Sequence, residues 1–451
     1  MELSDLFLTP LYLGIFYAVA FGIRSRVTNQ FTKQFFIPAL TLKFAGAIAL
    51  GLIYQFYYNG GDTYNYFFHT KIIYSAFGDS FANGLKLLLD NGGSTDPATA
   101  KYVAQMYWHQ PHSTEYVTVR IAAFFGLFCF NCYSVIALFF AATSFSGLWA
   151  MYVTFAKIRP HVYKQLAWSI FYIPSMFFWG SGLMKDSLAV GALGWLFYAL
   201  YRGAIQKRSI PKAAVIGFVA AYALLSIKVY ILLCFLPGAL LWVFNENNAL
   251  IKNQTVRVLA KPVFFVVGGL IAVYAATNLT KGDDKYDVDK IGERSKITAD
   301  YLYETSVAQN GSAYSLGKQD GTIGGMAKLA PQAIATALFR PMIFEARNPI
   351  MLLSALEAGF FLLFTLRIFW RTGVVATIKF VATTPVLVMC FVFSLIFAAS
   401  VAINSSNFGT LVRYKIPMIP FYLGGLYILQ SMLDAQKAKR RQPATRRRVA
   451  A

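Results

Sequence analysis

The sequence predicts an all-α polytopic membrane protein, and three observations carry that prediction. The chain has 451 residues, of which 57% are hydrophobic and only 14% charged; soluble domains average about 25% charged. Apolar runs of about 20 residues, the length of a bilayer crossing, recur from end to end. The lysines and arginines cluster between these runs and in the tail. Their +21 excess therefore reads as membrane topology and not as nucleic-acid binding. A β-barrel would instead show short alternating segments.

Taken in order, spans are expected at 7–23, 37–57, 132–156, 166–182, 186–202, 212–227, 229–245, 262–278, 348–368, 380–402 and 413–432. The first follows MELSD, which is acidic and lacks the basic n-region of a cleavable signal peptide. The stretch 119–156 is too long for one crossing and awkward for two. It is expected to hold an amphipathic or re-entrant helix at about 116–130 and then one span. Short spans such as 212–227 have the length of half-helices around a cavity, where broken backbone is tolerated. About eleven crossings put every basic loop, and the tail KAKRRQPATRRR, on one side. The expected orientation in the cytoplasmic (inner) membrane is thus N-terminus outside and C-terminus inside. One membrane domain, 1–435, precedes a basic cytoplasmic tail, 436–451, held near anionic lipid by charge.

Two long connections fall outside, at about 58–118 and 279–346. The second opens charge-rich as TKGDDKYDVDKIGERSK and continues through the flexible-looking GSAYSLGKQDGTIGG. It ends in LAPQAIATALFRPMIFEA, which has the pattern of an amphipathic surface helix. Cys129 and Cys132 form a CxxC inside an apolar run, with no second pair and no nearby histidine, which supports neither zinc nor redox chemistry.

Against this topology a few cations stand on the wrong, outer side: Arg120, Lys185, Lys228, Arg340, Arg347, Arg413 and Lys415. Some will be snorkelling side chains. A membrane-embedded anion, such as a polyprenyl diphosphate, would favour the rest, with arginine as a bidentate phosphate ligand and lysine as a point charge. Lys185 lies in FWGSGLMKDSLA between two apolar runs, just before a helix start that adds partial positive charge. Its neighbour Asp186 reads as a cap or as a partner for a cation. Arg413 and Lys415 lie in NSSNFGTLVRYKIPMIP, where the last helix opens.

Acids occupy the same face. Asp62 follows two glycines in GGDTYNYF, with Tyr64 and Tyr66 placed to stack on sugar rings. Glu115 stands five residues before Arg120 in HQPHSTEYVTVR, near His109 and His112. A carboxylate at the mouth of an outer cavity can act as general base for a sugar hydroxyl. The bland alternatives are a turn residue for Asp62 and surface-loop histidines. No convincing metal pair is present.

At these residues the chain resembles the EpsG-like and Wzy-type polysaccharide polymerases. GGDTYNYF is similar to their GxDYxxY element, and EYVTVRIAAFFGLFCFNCYSVIAL to the element leading into the next helix. MKDSLAVGALGW resembles an R-Q-x-x-A helix start, with Lys185-Asp186 in place of Arg-Gln. NFGTLVRYKIPMIPF resembles an R-Y-x-x-P-x-x-P end. The resemblance implies a membrane glycosyltransferase of the GT-C type that takes a polyprenyl-(di)phosphate-linked sugar at the outer face and elongates exopolysaccharide or O-antigen-type glycan. No cofactor or nucleotide sugar is implied. The partners are lipid donor, glycan acceptor, membrane lipid and other assembly proteins. On that reading Asp62 or Glu115 is the base. Arg120, Lys185, Arg340, Arg413 and Lys415 hold phosphate, and Tyr64 and Tyr66 bind sugar. The alternatives are a transporter or flippase of lipid-linked oligosaccharide, which needs the cations but no base, and a non-catalytic assembly subunit.

Overall fold

A computed structural model describes residues 3–248, 253, 290–308 and 311–441. The expected span at 262–278, the charged start of the second long connection and residues 442–451 of the tail lie outside the described residues. Those described are helical, with no β-strand among them and a single isolated bridge, Ala313 to Asn407. Eight of the described helices are long and apolar enough to cross a membrane: 3–27, 33–56, 133–158, 185–205, 210–248, 349–372, 385–405 and 408–436. This is the architecture of a multi-pass α-helical membrane protein. Nine of the eleven expected spans map onto these eight helices, because 212–227 and 229–245 join as one element.

The chain divides into two units, each described separately. The first contains residues up to Thr154 and Phe171–Leu233; the second contains Phe155–Ile170 and, from Cys234 on, the remainder apart from Gly282–Tyr286.

The first unit begins with α1, Leu3–Val27, and α2, Lys33–Phe56. Helix α1 turns Leu3, Leu6, Phe7 and Leu11 outward, as a lipid-facing helix does. Helix α2 buries Phe36, Ala39, Leu40, Lys43, Phe44, Ala47 and Leu50, the three-and-four spacing of one helix face.

The connection expected at 58–118 is mostly helix: α3, Asp62–Asp79; α4, Phe81–Leu89; α5, Ala100–Val103; and α6, Thr114–Gly126. Gly60 and Gly61 both have positive φ, 131° and 111°, which a side chain would disfavour. They turn the chain directly into α3. With 13 residues, α6 is too short to cross, and α7, Tyr133–Ile158, makes the crossing that follows.

The expected span at 166–182 is broken. It consists of α8, Tyr163–Ala167, a π-helical turn at Trp168–Tyr172, and α9, Pro174–Trp179. Pro174 has no N–H to continue the ladder and pushes Ile173 into extended backbone, at φ −71° and ψ 128°. Helix α10, Lys185–Leu200, follows.

Helix α10 crosses α7 at glycines. A Cβ on Gly147 would collide with the Gly191 carbonyl, and one on Gly194 with the carbonyl of Gly147. Small residues allow this approach where lipid supplies no hydrophobic drive between helices. Helix α11, Ile210–Asn248, is interrupted at Lys228, whose φ of −150° and ψ of 74° are not helical. At 39 residues it exceeds the roughly 20 that one crossing needs.

In the second unit follow α12, Ile291–Ala308; α13, Ile323–Phe339; α14, Pro349–Thr372; α15, Val374–Ala382; α16, Pro385–Ser405; α17, Phe408–Tyr414; and α18, Ile419–Arg441. The expected amphipathic helix is α13. It buries Ala333, Thr336, Ala337 and Leu338 and packs on α16. Between α12 and α13 the chain is tied to the α16–α17 corner. Tyr314 N–H donates to the Ser406 carbonyl at 3.0 Å and Phe408 N–H to that of Ser312 at 2.9 Å. The Tyr314 hydroxyl reaches the Ala402 carbonyl at 2.8 Å.

Candidate functional site

The first unit joins two of the residues singled out in the sequence. Lys185 is the first residue of α10, and Glu115 lies in the first turn of α6. Lys185 Nζ donates to Glu115 Oε1 at 2.6 Å and to Thr114 Oγ1 at 3.0 Å. The Thr114 hydroxyl donates to Glu115 Oε2, also at 3.0 Å. Both carboxylate oxygens are therefore engaged. The pair is shielded but reachable, with side chains 14% and 22% exposed. The Ser113 hydroxyl caps α6 by accepting from Tyr116 N–H, which fixes the turn that carries Glu115.

The next residue, Asp186, forms a second ion pair. Its Oδ1 accepts from Lys228 Nζ at 2.5 Å, with side chains only 1% and 7% exposed. Lys228 is also where α11 breaks. The backbone irregularity and the buried charge thus coincide, and the position of Asp186 at the start of α10 adds a favourable helix-dipole interaction. Consecutive residues 185 and 186 therefore bind outward to α6 and inward to α11.

A third contact holds the preceding turn. Lys43, fully buried in the middle of α2, donates to the Gly180 carbonyl, and the Ser144 hydroxyl donates to the same oxygen. Gly46 allows α2 to approach here, since a Cβ would collide with the Phe177 carbonyl.

Asp62 is the first residue of α3, and its charge acts on the Tyr107 phenol. Tyr66, one turn on, packs on Trp108 with ring centres 4.8 Å apart. His69, a further turn along the same face, stacks on Trp108 and meets Tyr107 edge-on. Burial pushes His69 down to about 4, so it is neutral at pH 7 and carries no charge for a phosphate. Tyr64 leaves this face. It stacks on Tyr133 at 4.6 Å and donates to Gln55 Oε1 at 3.1 Å. Burial, with the Asp5 charge, raises its phenol to about 12.

His109 belongs to the scaffold. Its Nδ1 accepts from Gly93 N–H at 3.3 Å, which leaves Nε2 as the donor to Asp90 at 2.6 Å. Arg120 contacts Asn91 Oδ1 at 3.3 Å and lies against the Tyr116 ring.

Arg340, Arg413 and Lys415 belong to the second unit. Arg340 forms a forked ion pair with Glu345, Nε to both oxygens at 3.1 Å, and lies 5.0 Å over the Phe408 ring. Burial opposes ionisation of Glu345, but Arg340 and the Met342 N–H outweigh it and hold the carboxyl below its usual range. Arg413 is on α17, which Phe408 opens, and sits over the Tyr414 ring at 5.8 Å. Lys415 is wholly buried beside the Phe361 ring, at 5.9 Å, and feels the charge of the buried Glu357. Arg347 is tied to the Gly311 carbonyl at 2.9 Å. An open groove of 750 Å³ in this unit, lined by Leu363, Leu366, Phe369, Trp370 and Val374 with Arg367 and Arg371, contains none of the residues singled out.

The pairing of Lys185 with Glu115, 70 residues away, and that of Asp186 with Lys228 were not legible in the sequence. The only signal for either was the cost of leaving such charges unpaired. Comparisons with protein-family models, curated proteins and solved structures give no match to the chain.

Proposed function

We propose that the protein is a membrane glycosyltransferase that takes its sugar from a polyprenyl-(di)phosphate donor, in the manner of a GT-C enzyme that elongates cell-surface polysaccharide. The observation that carries the reading is the 2.6 Å contact between Lys185 and Glu115. It brings together a cation suited to a departing phosphate and a carboxylate suited to a hydroxyl proton, on two partly exposed helix starts. In the reaction, the acceptor hydroxyl oxygen bonds to the anomeric carbon as the bond from that carbon to the phosphate oxygen breaks. Glu115 takes the hydroxyl proton, the bonding pair leaves with the phosphate, and Lys185 stabilises the charge that develops there. Asp62, with Tyr66, Tyr107 and Trp108 beside it, serves the acceptor sugar. Arg120 is the remaining phosphate candidate of the first unit; Arg340 and Arg413 are candidates within the second unit, taken by itself. Tyr64 is committed to internal contacts with Tyr133 and Gln55 and stays out of this chemistry. The buried Lys415 ammonium, by contrast, has no hydrogen-bond partner among the described residues and remains a phosphate candidate of the second unit.

A transport reading draws on a different observation, the helix broken at Lys228 against a buried acid, which is a geometry that transporters use. Comparing lipid-linked and surface glycans in cells with the protein, without it, and with Glu115→Gln separates the two. As an enzyme, Glu115→Gln lowers glycan formation by about 100-fold, and unextended repeat units build up on lipid if the protein is a polymerase. Unchanged glycan in the Glu115→Gln strain removes the base and with it the enzyme reading.

A further inference from the structure

We propose that Glu115 and the donor's diphosphate compete for Lys185, so that donor binding itself releases the base. The proposal rests on the glycosyltransferase reading and adds an order of events to it. Glu115 as described cannot act as an efficient base. One oxygen accepts a charge-assisted hydrogen bond from Lys185 and the other accepts from Thr114, and such contacts stabilise the ionised form against taking up a proton. Lys185 in turn spends its charge on Glu115.

One movement resolves both obstacles. A diphosphate carries more negative charge than a carboxylate, and the lysine stem is flexible, so the ammonium can turn from Glu115 to the donor. The surroundings permit this. The Lys185 side chain is 14% exposed, whereas the Asp186 side chain beside it is pinned by Lys228 at 1% exposure. The helix start stays in place while its first side chain moves. Losing its cation, Glu115 becomes more basic as the donor arrives, and the acceptor proton is removed only when a sugar is present to receive the attack. Asp186 and Lys228 are positioning residues in this scheme.

The experiment uses the full chain in nanodiscs, with a sugar-free polyprenyl diphosphate as the probe and the uncharged polyprenol as the control. Glu115→Gln removes the competitor, so it binds the diphosphate about fivefold more tightly than the wild type, the scale of one partly exposed ion pair. Lys185→Met binds it about tenfold more weakly, having lost a charged hydrogen bond. Polyprenol binding is the same in all three. Glu115→Asp keeps the charge but shortens its reach and falls between wild type and Glu115→Gln; it also serves if Glu115→Gln does not fold. Equal or weaker diphosphate binding by both Glu115 variants, with Lys185→Met still weakened, overturns the competition and leaves the donor site standing. Failure of wild type and variants alike to prefer diphosphate over polyprenol overturns the donor reading itself.

Discussion

Asp186 shows how far a side chain's meaning depends on a partner far off in the chain. Its carboxylate is almost entirely buried and faces Lys228 at 2.5 Å. Removing one member of such a pair strands the other charge in an apolar setting, at a cost of about 3–5 kcal/mol. Asp186→Ala and Lys228→Ala are each expected to lower stability by about that amount. The combined Asp186→Leu/Lys228→Met variant is expected to lose much less than either alone, because it strands no charge. Thermal unfolding in detergent checks this. If the double variant loses the sum of the two single losses, the residues are not coupled. Lys185 and Glu115, more exposed, are expected to contribute little stability, in keeping with a contact that can open.

At the scale of elements, glycine decides where helices meet. Gly147, Gly191 and Gly194 bring the backbones of α7 and α10 together, and α10 begins with Lys185 and Asp186. Gly147→Ala is expected to cost about 1–3 kcal/mol through overpacking. Gly14→Ala in α1, where nothing lies within 4 Å of the added carbon, is expected to be neutral or to gain up to about 1 kcal/mol from helix propensity. Melting temperatures of the two variants check the contrast, and equal effects would refute the close crossing. Proline has a comparable influence. Hydropathy alone runs a span straight through 166–182, but Pro174 ends it. The break was legible in the residue type, and composition outweighed it. The segment 58–118 reads as loop because it is polar and rich in turn residues. Its helices α3 to α6 are held by packing such as Tyr66 on Trp108 and by the bond from the Tyr116 hydroxyl to the Leu87 carbonyl, which no local pattern announces.

For the whole molecule, the long apolar helices were legible because a bilayer demands about 20 apolar residues whatever the sequence. The candidate site was legible only as a list of costly charges. Asp62, Glu115 and Lys185 could be named, since ions between apolar segments need a reason. Which of them meet depends on how helices distant in sequence pack, and periodicity carries no such information. The orientation expected from the basic loops makes a direct prediction. A cysteine at Ser315 is expected to react with an impermeant maleimide applied from outside the cell, and one at Ser209 only after the membrane is opened. The native Cys129, Cys132, Cys234 and Cys390 are all buried, which keeps the background low. Reaction of both from the same side would overturn the arrangement.

The contact between Lys43 and the Gly180 carbonyl has a consequence for how this protein can evolve. A main-chain oxygen is present whatever residue occupies position 180, so substitution there does not remove Lys43's acceptor directly. A Cβ would, however, lie 3.3 Å from the ammonium and 2.6 Å from the Met176 carbonyl, which favours glycine at that position. Selection at position 43 then acts on the ammonium, and at position 180 on size. In a saturation-mutagenesis screen, position 43 is expected to be intolerant and position 180 to accept only the smallest residues. In a comparison of diverged sequences the lysine is expected to persist opposite a small residue, with little paired change to reveal their proximity.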